Sequence, residues 1–298
     1  MLDNPTKLSR RDALKLMGTA AMTLVISASG VSALTSCNEK EKMVKRLIFY
    51  FTATGNCLHV ARELGENIIS IPQALKDKKT EYEADEIGIV YPIYGHMPPK
   101  IVKHFIENVS LKARYKFAIL TYGNRKCNAT EIWRDDSHAA GYDFDYITTV
   151  KMVDNFLPSF DMNEQMRIDK HVPEQLAVIK ADLEQRKQWI QPVTEEERQI
   201  HADFMASAGG LLMIQSQDLL EITDNCIDCG FCTKVCPRGN FSFTSEGIET
   251  SGDCEFCLAC AQNCPQKAII LKNGEKNPNA RYRHPDISIN DIVRANRQ

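Results

Sequence analysis

The feature that most constrains this chain of 298 residues is a cysteine motif that occurs twice. Each copy contains four cysteines, separated by two, two and three residues, and a proline follows the last one. The copies are Cys226, Cys229, Cys232, Cys236 and Pro237, and Cys254, Cys257, Cys260, Cys264 and Pro265. Every member of the second copy follows its counterpart at the same offset along the chain, so eight of the 11 cysteines belong to one repeated unit.

This spacing resembles that of bacterial ferredoxins with two 4Fe-4S clusters. Three closely spaced thiolates on one loop can reach three irons of a cluster, but the fourth ligand must come from elsewhere. In those ferredoxins the fourth cysteine of each run binds the other cluster. The resemblance therefore assigns cluster 1 to Cys226, Cys229, Cys232 and Cys264, and cluster 2 to Cys254, Cys257, Cys260 and Cys236. We expect electron transfer from a chain of this kind.

Two local expectations follow from the repeat. Each Cys-Pro step is expected to open a helix, because proline suits the first helical position, where an N–H has no intrahelical partner. The apolar residues Phe241 and Phe243 precede Ile269 and Leu271 by the same offset as the cysteines. These four side chains are expected to form matching apolar walls around the two clusters.

Zinc binding and disulfides are the competing interpretations of eight cysteines. Structural zinc sites take their four ligands as two separated pairs, so a third closely spaced cysteine would have no role. A disulfide framework suits an exported protein but needs neither the repeat nor the two Cys-Pro steps. A third possibility is a lipid-anchored binding protein whose metal is purely structural. Such a protein would contain no flavin cofactor and would show no reversible redox signal.

The N-terminus predicts export from the cytoplasm. Arg10 and Arg11 form an arginine pair, and no charged residue lies between Lys15 and Glu39. This pattern resembles a twin-arginine signal, whose route carries folded proteins with their cofactors in place. Glycines and serines interrupt the uncharged stretch, which favours a cleaved signal peptide over a permanent membrane helix.

The end of this stretch, Leu34-Thr35-Ser36-Cys37, resembles a lipobox. It predicts that Cys37 carries a lipid and begins the mature chain; an ordinary cysteine after a generic signal is the alternative. We expect a signal peptide over residues 1–36 and a tether over 37–43. The lipid would anchor the protein to the outer face of the cytoplasmic membrane or to the periplasmic or outer membrane.

Short apolar runs alternate with amphipathic stretches between residues 44 and 155, and the domain that they indicate is expected to cover residues 44–172. This rhythm predicts an α/β fold, a doubly wound parallel sheet whose ligand site lies beyond the carboxyl ends of the strands. Residues 173–220 are expected to form a helical connector, with helical spacing that runs from Leu176 to Ile190. Residues 221–298 would form a small α+β ferredoxin domain.

The end of the first predicted strand reads Thr52-Ala53-Thr54-Gly55-Asn56-Cys57. Hydroxyls, a glycine turn and free amides at a helix start can surround a phosphate without a basic side chain. The segment resembles the phosphate loop of flavodoxins, except that those proteins have threonine or serine at the position of Cys57. A thiol is a weaker donor, and at a helix N-terminus it is expected to be partly ionised and to repel phosphate.

Two later strand ends supply the expected flavin-ring site. The first contributes Pro92, Ile93, Tyr94 and Gly95, and the second contributes Tyr122, Gly123 and Asn124. Tyr94 and Tyr122 are candidates for stacking on the ring, and the glycines would allow close main-chain contacts. The alternative is that both tyrosines only close the top of the sheet core.

Together these features resemble the EFR-type ferredoxins, in which a flavodoxin-like domain precedes a two-cluster ferredoxin domain. The segments that carry this resemblance are the cysteine repeat, the loop from Thr52 to Asn56, Val153–Pro158 and Arg281–Pro285. The family implies FMN and two 4Fe-4S clusters as cofactors. It leaves the donor and the acceptor open.

We therefore expect an iron-sulfur flavoprotein that relays electrons between FMN, the two clusters and a redox partner, either a protein or a small molecule. The alternative is an FMN-dependent reductase of a quinone, nitro compound or free flavin. Basic and acidic residues number 36 and 39, and no basic patch predicts nucleic-acid binding. The seven histidines show no ligand spacing, so no further metal is expected.

Overall fold

A six-stranded sheet organises the first part of the chain in the computed structural model, which describes residues 45–207 and 219–296. All its neighbouring strands are parallel, in the order β2-β1-β4-β6-β7-β8, and β3 and β5 form a separate parallel pair. The strands are β1 Arg46–Tyr50, β2 Ile68–Ser70, β3 Glu81–Glu83, β4 Glu86–Pro92, β5 Ser110–Lys112, β6 Tyr115–Tyr122, β7 Tyr146–Lys151 and β8 Trp189–Ile190. The first five positions of that order are those of the doubly wound flavodoxin-like fold, so the predicted fold class is confirmed.

Helices connect the strands and cover the sheet. They are α1 Asn56–Leu64, α2 Ile71–Asp77, α3 Lys100–Asn108, α4 Ala129–Ala139, α5 Met162–Gln165, α6 Val172–Glu184 and α7 Glu195–Met205. The central strands are nearly continuous apolar runs because helices bury both faces of the sheet. Gly88 of β4 is the exception that packing requires, since a Cβ there would lie 2.2 Å from Cζ of Phe117 on β6.

The connector differs from the expected helical segment. Helix α6 ends at Glu184, and the chain then adds β8 beside β7 as a sixth strand. Ile190, which the helical spacing placed on the same helix as Leu176, pairs with Ile147 in the sheet. The apolar spacing could not distinguish a continuing helix from strand β8, because a short edge strand carries too few residues to show its own period.

The cysteine motifs lie in a second, smaller arrangement of short elements. These are β9 Leu220–Ile222, α8 Phe231–Val235, β10 Phe241–Thr244, β11 Gly247–Thr250, α9 Ala259–Asn263, β12 Ile269–Leu271 and α10 Ile289–Asn296. Strands β9 and β12 pair antiparallel, as do β10 and β11. The predicted small α+β region after the parallel sheet is confirmed.

The Cys-Pro steps do not open helices, so that expectation is wrong. Helices α8 and α9 end before Cys236 and Cys264, and each cysteine instead begins a turn. Gly239 N donates to Cys236 O at 3.4 Å, and Lys267 N donates to Cys264 O at 3.1 Å. Proline suits the second position of such a turn because its φ is already fixed near the required value.

The two arrangements share a core. Buried side chains of the cysteine region, among them Val235, Cys257, Ala259 and Ile287, belong to the same apolar cluster as the sheet. Within the described ranges, no helix combines the length and the apolar character that crossing a membrane requires.

Candidate functional site

A cavity of about 450 Å³ opens at the carboxyl ends of β1, β4 and β6. This is where a doubly wound sheet binds its ligand. Twelve of the thirteen residues expected to bind flavin line the cavity: Thr52, Ala53, Thr54, Asn56, Cys57, Pro92, Ile93, Tyr94, Gly95, Tyr122, Gly123 and Asn124. Gly55, the thirteenth, shapes the turn behind it.

The loop before α1 has the features of an anion site. Gly55 adopts φ 105°, and no side chain caps the N-terminus of the nine-residue helix α1, so its first amides have no side-chain acceptor. Thr52 Oγ1 accepts a hydrogen bond from Gly55 N at 3.0 Å, and Thr54 Oγ1 accepts one from Asn155 Nδ2 at 2.6 Å. Because both oxygens accept, both hydroxyl hydrogens remain free to donate to an anion.

Cys57 does not carry the expected charge. Its Sγ lies 3.1 Å from Thr121 Oγ1, and burial raises the pKa of the thiol to about 12, with the Thr121 hydrogen bond opposing this weakly. The expectation of a partly ionised thiol is therefore wrong. Desolvation of a thiolate outweighs the favourable field of the helix N-terminus, and the sequence did not show how deeply Cys57 would be buried.

The ring-site loops approach the cavity by close main-chain packing. Gly95 has φ 56°, and His96 beside it has φ 69°. A Cβ on Gly123 would lie 2.3 Å from Cα of Asp154, so only glycine fits at this position. Burial raises the pKa of the Asp154 carboxyl, which also lines the cavity.

The cavity wall also includes residues that the sequence did not identify as flavin ligands. They come from β6, the turns after β4, β6 and β12, the chain after β7, helix α7 and the second cysteine motif: His96, Thr121, Arg125, Val153, Asp154, Asn155, Phe156, Pro158, Ser159, Phe160, Phe204, Phe256, Cys257, Leu258 and Asn273. The Val153–Pro158 segment carried a family resemblance that could have indicated this role. Phe256 and Leu258 carried no such signal, because only the folded chain brings them to the sheet.

Four cysteines of the repeat surround a second, smaller cavity. They are Cys226, Cys229 and Cys232 from the first motif and Cys264 from the second, with Ile227 and Ile248 beside them. This is the set predicted for cluster 1. The pKa of the Cys232 thiol is raised to about 11, mainly by burial and also by the neighbouring Cys226 and Cys229.

The other four cysteines surround a third cavity, and they are the set predicted for cluster 2. Cys254, Cys257 and Cys260 come from the second motif and Cys236 from the first. Burial raises the pKa of the Cys257 thiol well above its ordinary value, and the neighbouring Cys236 adds to the effect. Cys257 also lines the 450 Å³ cavity, so one residue belongs to both walls.

The repeat extends to backbone conformation. Asp228 and its counterpart Phe256 have φ of 50° and 54°, and Gly230 and its counterpart Leu258 have φ of 72° and 60°. A residue other than glycine costs about 1–3 kcal/mol in this left-handed backbone conformation, and it persists mainly where surrounding structure or function requires it. In the second motif the residues with this strained backbone are Phe256 and Leu258, and both line the 450 Å³ cavity.

Glu255 connects the second motif to the sheet region. Its Oε1 accepts a hydrogen bond from Ile101 N at 3.2 Å, at the start of α3, where Pro99 provides no side-chain cap. Burial raises the pKa of Glu255 to about 7, against the lowering effect of the backbone N–H of Ile101. A carboxylate at this position complements the positive end of the helix.

The chain after the second motif packs on the back of the anion loop. Tyr282 Oη donates to Asn56 Oδ1 at 2.7 Å, and His284 N donates to Thr54 O at 2.8 Å. A Cβ on Gly55 would lie 2.9 Å from Cβ of His284, so the tail and the loop fit together only with glycine at this position. The cysteine region therefore helps to shape the cavity.

Comparison with known proteins identifies the second part of the chain. The 4Fe-4S dicluster domain family matches residues 225–268. An uncharacterised ferredoxin of Methanocaldococcus jannaschii is 39% identical over 54 residues, which cover 16% of this chain and 70% of that protein. This chain belongs to the ferredoxin family. Its ferredoxin region is an iron-sulfur module for electron transfer, which excludes the zinc and disulfide interpretations of the repeat.

Two solved structures are similar to part of this chain. One is described as a candidate flavoprotein of Bacteroides uniformis, with 18% identity, a TM-score of 0.30, and coverage of 37% of this chain and 92% of that chain. The other is described as a candidate flavoprotein of Bacteroides eggerthii, with 20% identity, a TM-score of 0.31, and coverage of 45% and 97%.

Proposed function

We propose that this protein relays electrons between FMN in the 450 Å³ cavity, two 4Fe-4S clusters and an external redox partner. The observation that carries the proposal is the double position of Cys257, which lines both the large cavity and the cavity of the cluster 2 cysteines. FMN would supply exchange between two-electron and one-electron steps, and the clusters would accept single electrons.

The residues around the large cavity fit FMN. The hydroxyls of Thr52 and Thr54 and the uncapped amides of α1 suit a phosphate, since they offer hydrogen-bond donors at the N-terminus of a helix. The absence of a Cβ at Gly123 suits close approach of the main chain to a flat ring. Tyr94 and Tyr122 lie at the two loops that would border the ring.

The donor sets of the two smaller cavities fit 4Fe-4S clusters, because four thiols surround each cavity. Burial and mutual repulsion would keep the thiols of Cys257 and Cys260 protonated in the absence of metal. Binding of iron requires thiolates, so assembly of cluster 2 releases protons and is coupled to folding of its loop.

The arrangement gives the relay an order. Cluster 2 would lie beside the flavin because Cys257 and Leu258 face the large cavity. Cluster 1 would lie farther from the flavin, since the cavity of its cysteines shares no lining residue with the large cavity, whereas the cavity of the cluster 2 cysteines shares Cys257 and Leu258 with it. Cys229 of cluster 1 is exposed, so an external partner would exchange electrons there.

Anaerobic purification followed by iron, sulfide and flavin analysis tests this proposal. We expect about eight irons, eight sulfides and one FMN per chain, as two cubane clusters and one flavin require. Photoreduction of the flavin should then bleach the clusters within the same molecule, at a rate independent of protein concentration. A preparation with full cluster content that binds no FMN would refute the relay.

The alternative, an FMN-dependent reductase, makes a different prediction in the same preparation. It requires steady-state turnover with a quinone or nitro compound that persists when cluster 1 is removed. The relay predicts that electron delivery to a protein acceptor then fails.

We also propose that the protein is exported by the twin-arginine route and anchored by a lipid on Cys37. Residues 1–44 lie outside the described residues, so the proposal rests on the sequence pattern alone. Replacement of Arg10 and Arg11 by lysine should leave the protein in the cytoplasm, and labelled fatty acid should attach to the wild type but not to Cys37→Ser. Export of the double lysine variant at the normal rate would refute the route.

A further inference from the structure

The loop of the cluster 1 cysteines carries an exposed apolar surface. Ile227, between Cys226 and Cys229, is 60% exposed, and Phe243 on β10 is 57% exposed. A Cβ on Gly230 would lie 2.9 Å from Cζ of Phe243, so this ring packs directly on the loop that holds the exposed cysteines.

Phe243 breaks the internal symmetry of the repeat. Its counterpart in the second copy, Leu271, is only 2% exposed, and Phe241 and Ile269 are both buried. The expectation that all four residues form equivalent apolar walls is therefore wrong. An exposed aromatic side chain loses the stabilisation that burial would give, and such side chains are enriched in interface hot spots.

Two acidic side chains lie beside this apolar surface. Asp228 Oδ1 lies 3.8 Å from the position of a Cβ on Gly247, which places the cysteine loop beside the turn that carries Glu246. Both carboxylates are exposed, and neither forms an ion pair among the described residues, whereas nearby Asp253 is neutralised by Arg238 at 2.8 Å. Glu249 on β11 is also exposed, but it pairs with Ser242, so its side chain lies on the face of the hairpin opposite Phe243.

Negative charge is concentrated in this part of the chain. Residues 220–271 contain seven acidic and three basic side chains, leaving 32 acidic and 33 basic side chains elsewhere from the totals of 39 and 36. The exposed basic side chains of the region, Lys234 and Lys267, leave it with a net negative charge. Like charges beside a small apolar surface steer an oppositely charged protein and then allow close contact.

We propose that Ile227, Phe243, Asp228 and Glu246, hereafter the cluster 1 face, form the docking surface for a one-electron redox protein with a basic surface. The proposal rests on the relay proposed above and names the class of its external partner. Docking on the cluster 1 face brings the partner against the loop of the exposed Cys229. One electron passes between the ferredoxin and the partner, and no bond forms or breaks.

Reduction of a basic cytochrome c by the photoreduced holoprotein tests the proposal in stopped flow. Between ~0.01 M and ~1 M ionic strength the Debye length falls from about 30 Å to about 3 Å, so we expect the second-order rate constant of the wild type to fall at least about tenfold. Glu246→Lys should lower the rate constant several-fold at low salt and match the wild type at high salt. Phe243→Ser should lower it several-fold at both salt concentrations, because its contribution is not electrostatic.

The matched control is Glu66→Lys, which makes the same charge change at an exposed position of the sheet region. This control should react like the wild type. A wild-type rate constant that does not depend on salt, or equal slowing in both lysine variants, would overturn the docking surface. Rapid flavin-to-cluster transfer in the same preparation would still leave the relay intact. Failure of flavin-to-cluster transfer itself would refute the relay. A concentration-dependent dimer that Phe243→Ser abolishes would assign the face to a second copy and overturn the proposal.

Discussion

The two cysteine motifs have the same spacing and the same left-handed turns, but they lie in opposite environments. The first presents Cys229, Asp228 and an exposed Ile227 to solvent. The second has Phe256 and Leu258 at the corresponding left-handed positions and packs them against the large cavity. The two motifs therefore differ in what they pack against: one set of cysteines lies beside the large cavity and the other faces solvent.

The largest effect should come from replacing, in each set of four cysteines, the one cysteine that the other motif contributes. Cys236→Ser should damage cluster 2 and stop electron flow from the flavin to cluster 1, because it interrupts the middle of the relay. Cys264→Ser should damage cluster 1 and leave flavin-to-cluster 2 transfer intact. Paramagnetic resonance identifies the altered cluster, and flash photoreduction measures the transfer. Identical spectra and kinetics in both variants would contradict the order of the relay.

The next largest difference between the two motifs should appear when the residues at their first left-handed position, Asp228 and Phe256, are exchanged. Phe256→Asp places a carboxylate on the cavity wall and removes the edge contact of Phe256 with Phe156 at 6.0 Å. We expect a loss of about 2 kcal/mol in the free energy of unfolding and weaker FMN binding. Asp228→Phe, at the exposed counterpart, should change stability by less than about 1 kcal/mol. Denaturant titration with a flavin-binding assay measures both, and equal losses would remove the asymmetry.

A smaller effect is expected at the ion pair that joins α10, in the chain after the second motif, to α1 of the sheet region. Arg62 on α1 donates to Asp291 on α10 at 2.7 Å. Burial opposes ionisation of Asp291, but hydrogen bonds from Ser288, Arg62 and Arg294 outweigh it and hold the pKa of this carboxyl well below its usual range. Because Arg62 is partly exposed, Asp291→Asn should lower stability by about 1 kcal/mol at pH 7.

The pH dependence of this difference follows from the lowered pKa. The contribution of Asp291 is present above the pKa of about 3.9 that an unfolded aspartate has, and it is lost as pH falls below that value. The wild type and Asp291→Asn should therefore converge in stability below about pH 4. A difference that stays constant between pH 7 and pH 3 would show that packing, and not charge, anchors the tail.

The smallest effect concerns the turns after the Cys-Pro steps, where the two motifs differ least. Gly239 and Lys267 are exposed counterparts with φ of 66° and 53°. Lys267→Gly relieves backbone strain but increases the entropy of the unfolded chain, so we expect a net gain of about 0.5 kcal/mol. The reverse change, Gly239→Lys, should lose about 1 kcal/mol in the same denaturation assay. A loss in both variants would mean that the Lys267 side chain makes a stabilising contact.

The sheet and the cysteine grouping could be predicted because local patterns encode them. Apolar runs such as Ile87–Tyr91 are continuous only when helices bury both faces of a strand, and the constant offset between the two motifs fixes which cysteines are equivalent. The loop at Thr52–Cys57 was predicted from hydroxyls and a glycine after a strand. Strand β8 was missed because Trp189 and Ile190 are too few to show a period and gain their hydrogen bonds only from β7.

The sequence by itself indicated the parallel sheet and the positions of the cavity loops, since these depend on spacing along the chain, and the resemblance to bacterial ferredoxins supplied the two sets of four cysteines. Only the tertiary structure decided that Phe256 and Leu258 complete the large cavity, that Cys57 is a neutral buried thiol, and that Phe243 is exposed while Leu271 is buried. Burial and desolvation depend on which surfaces meet. Two identical local patterns acquire different pKa values and different partners when one of them packs against the sheet and the other faces solvent.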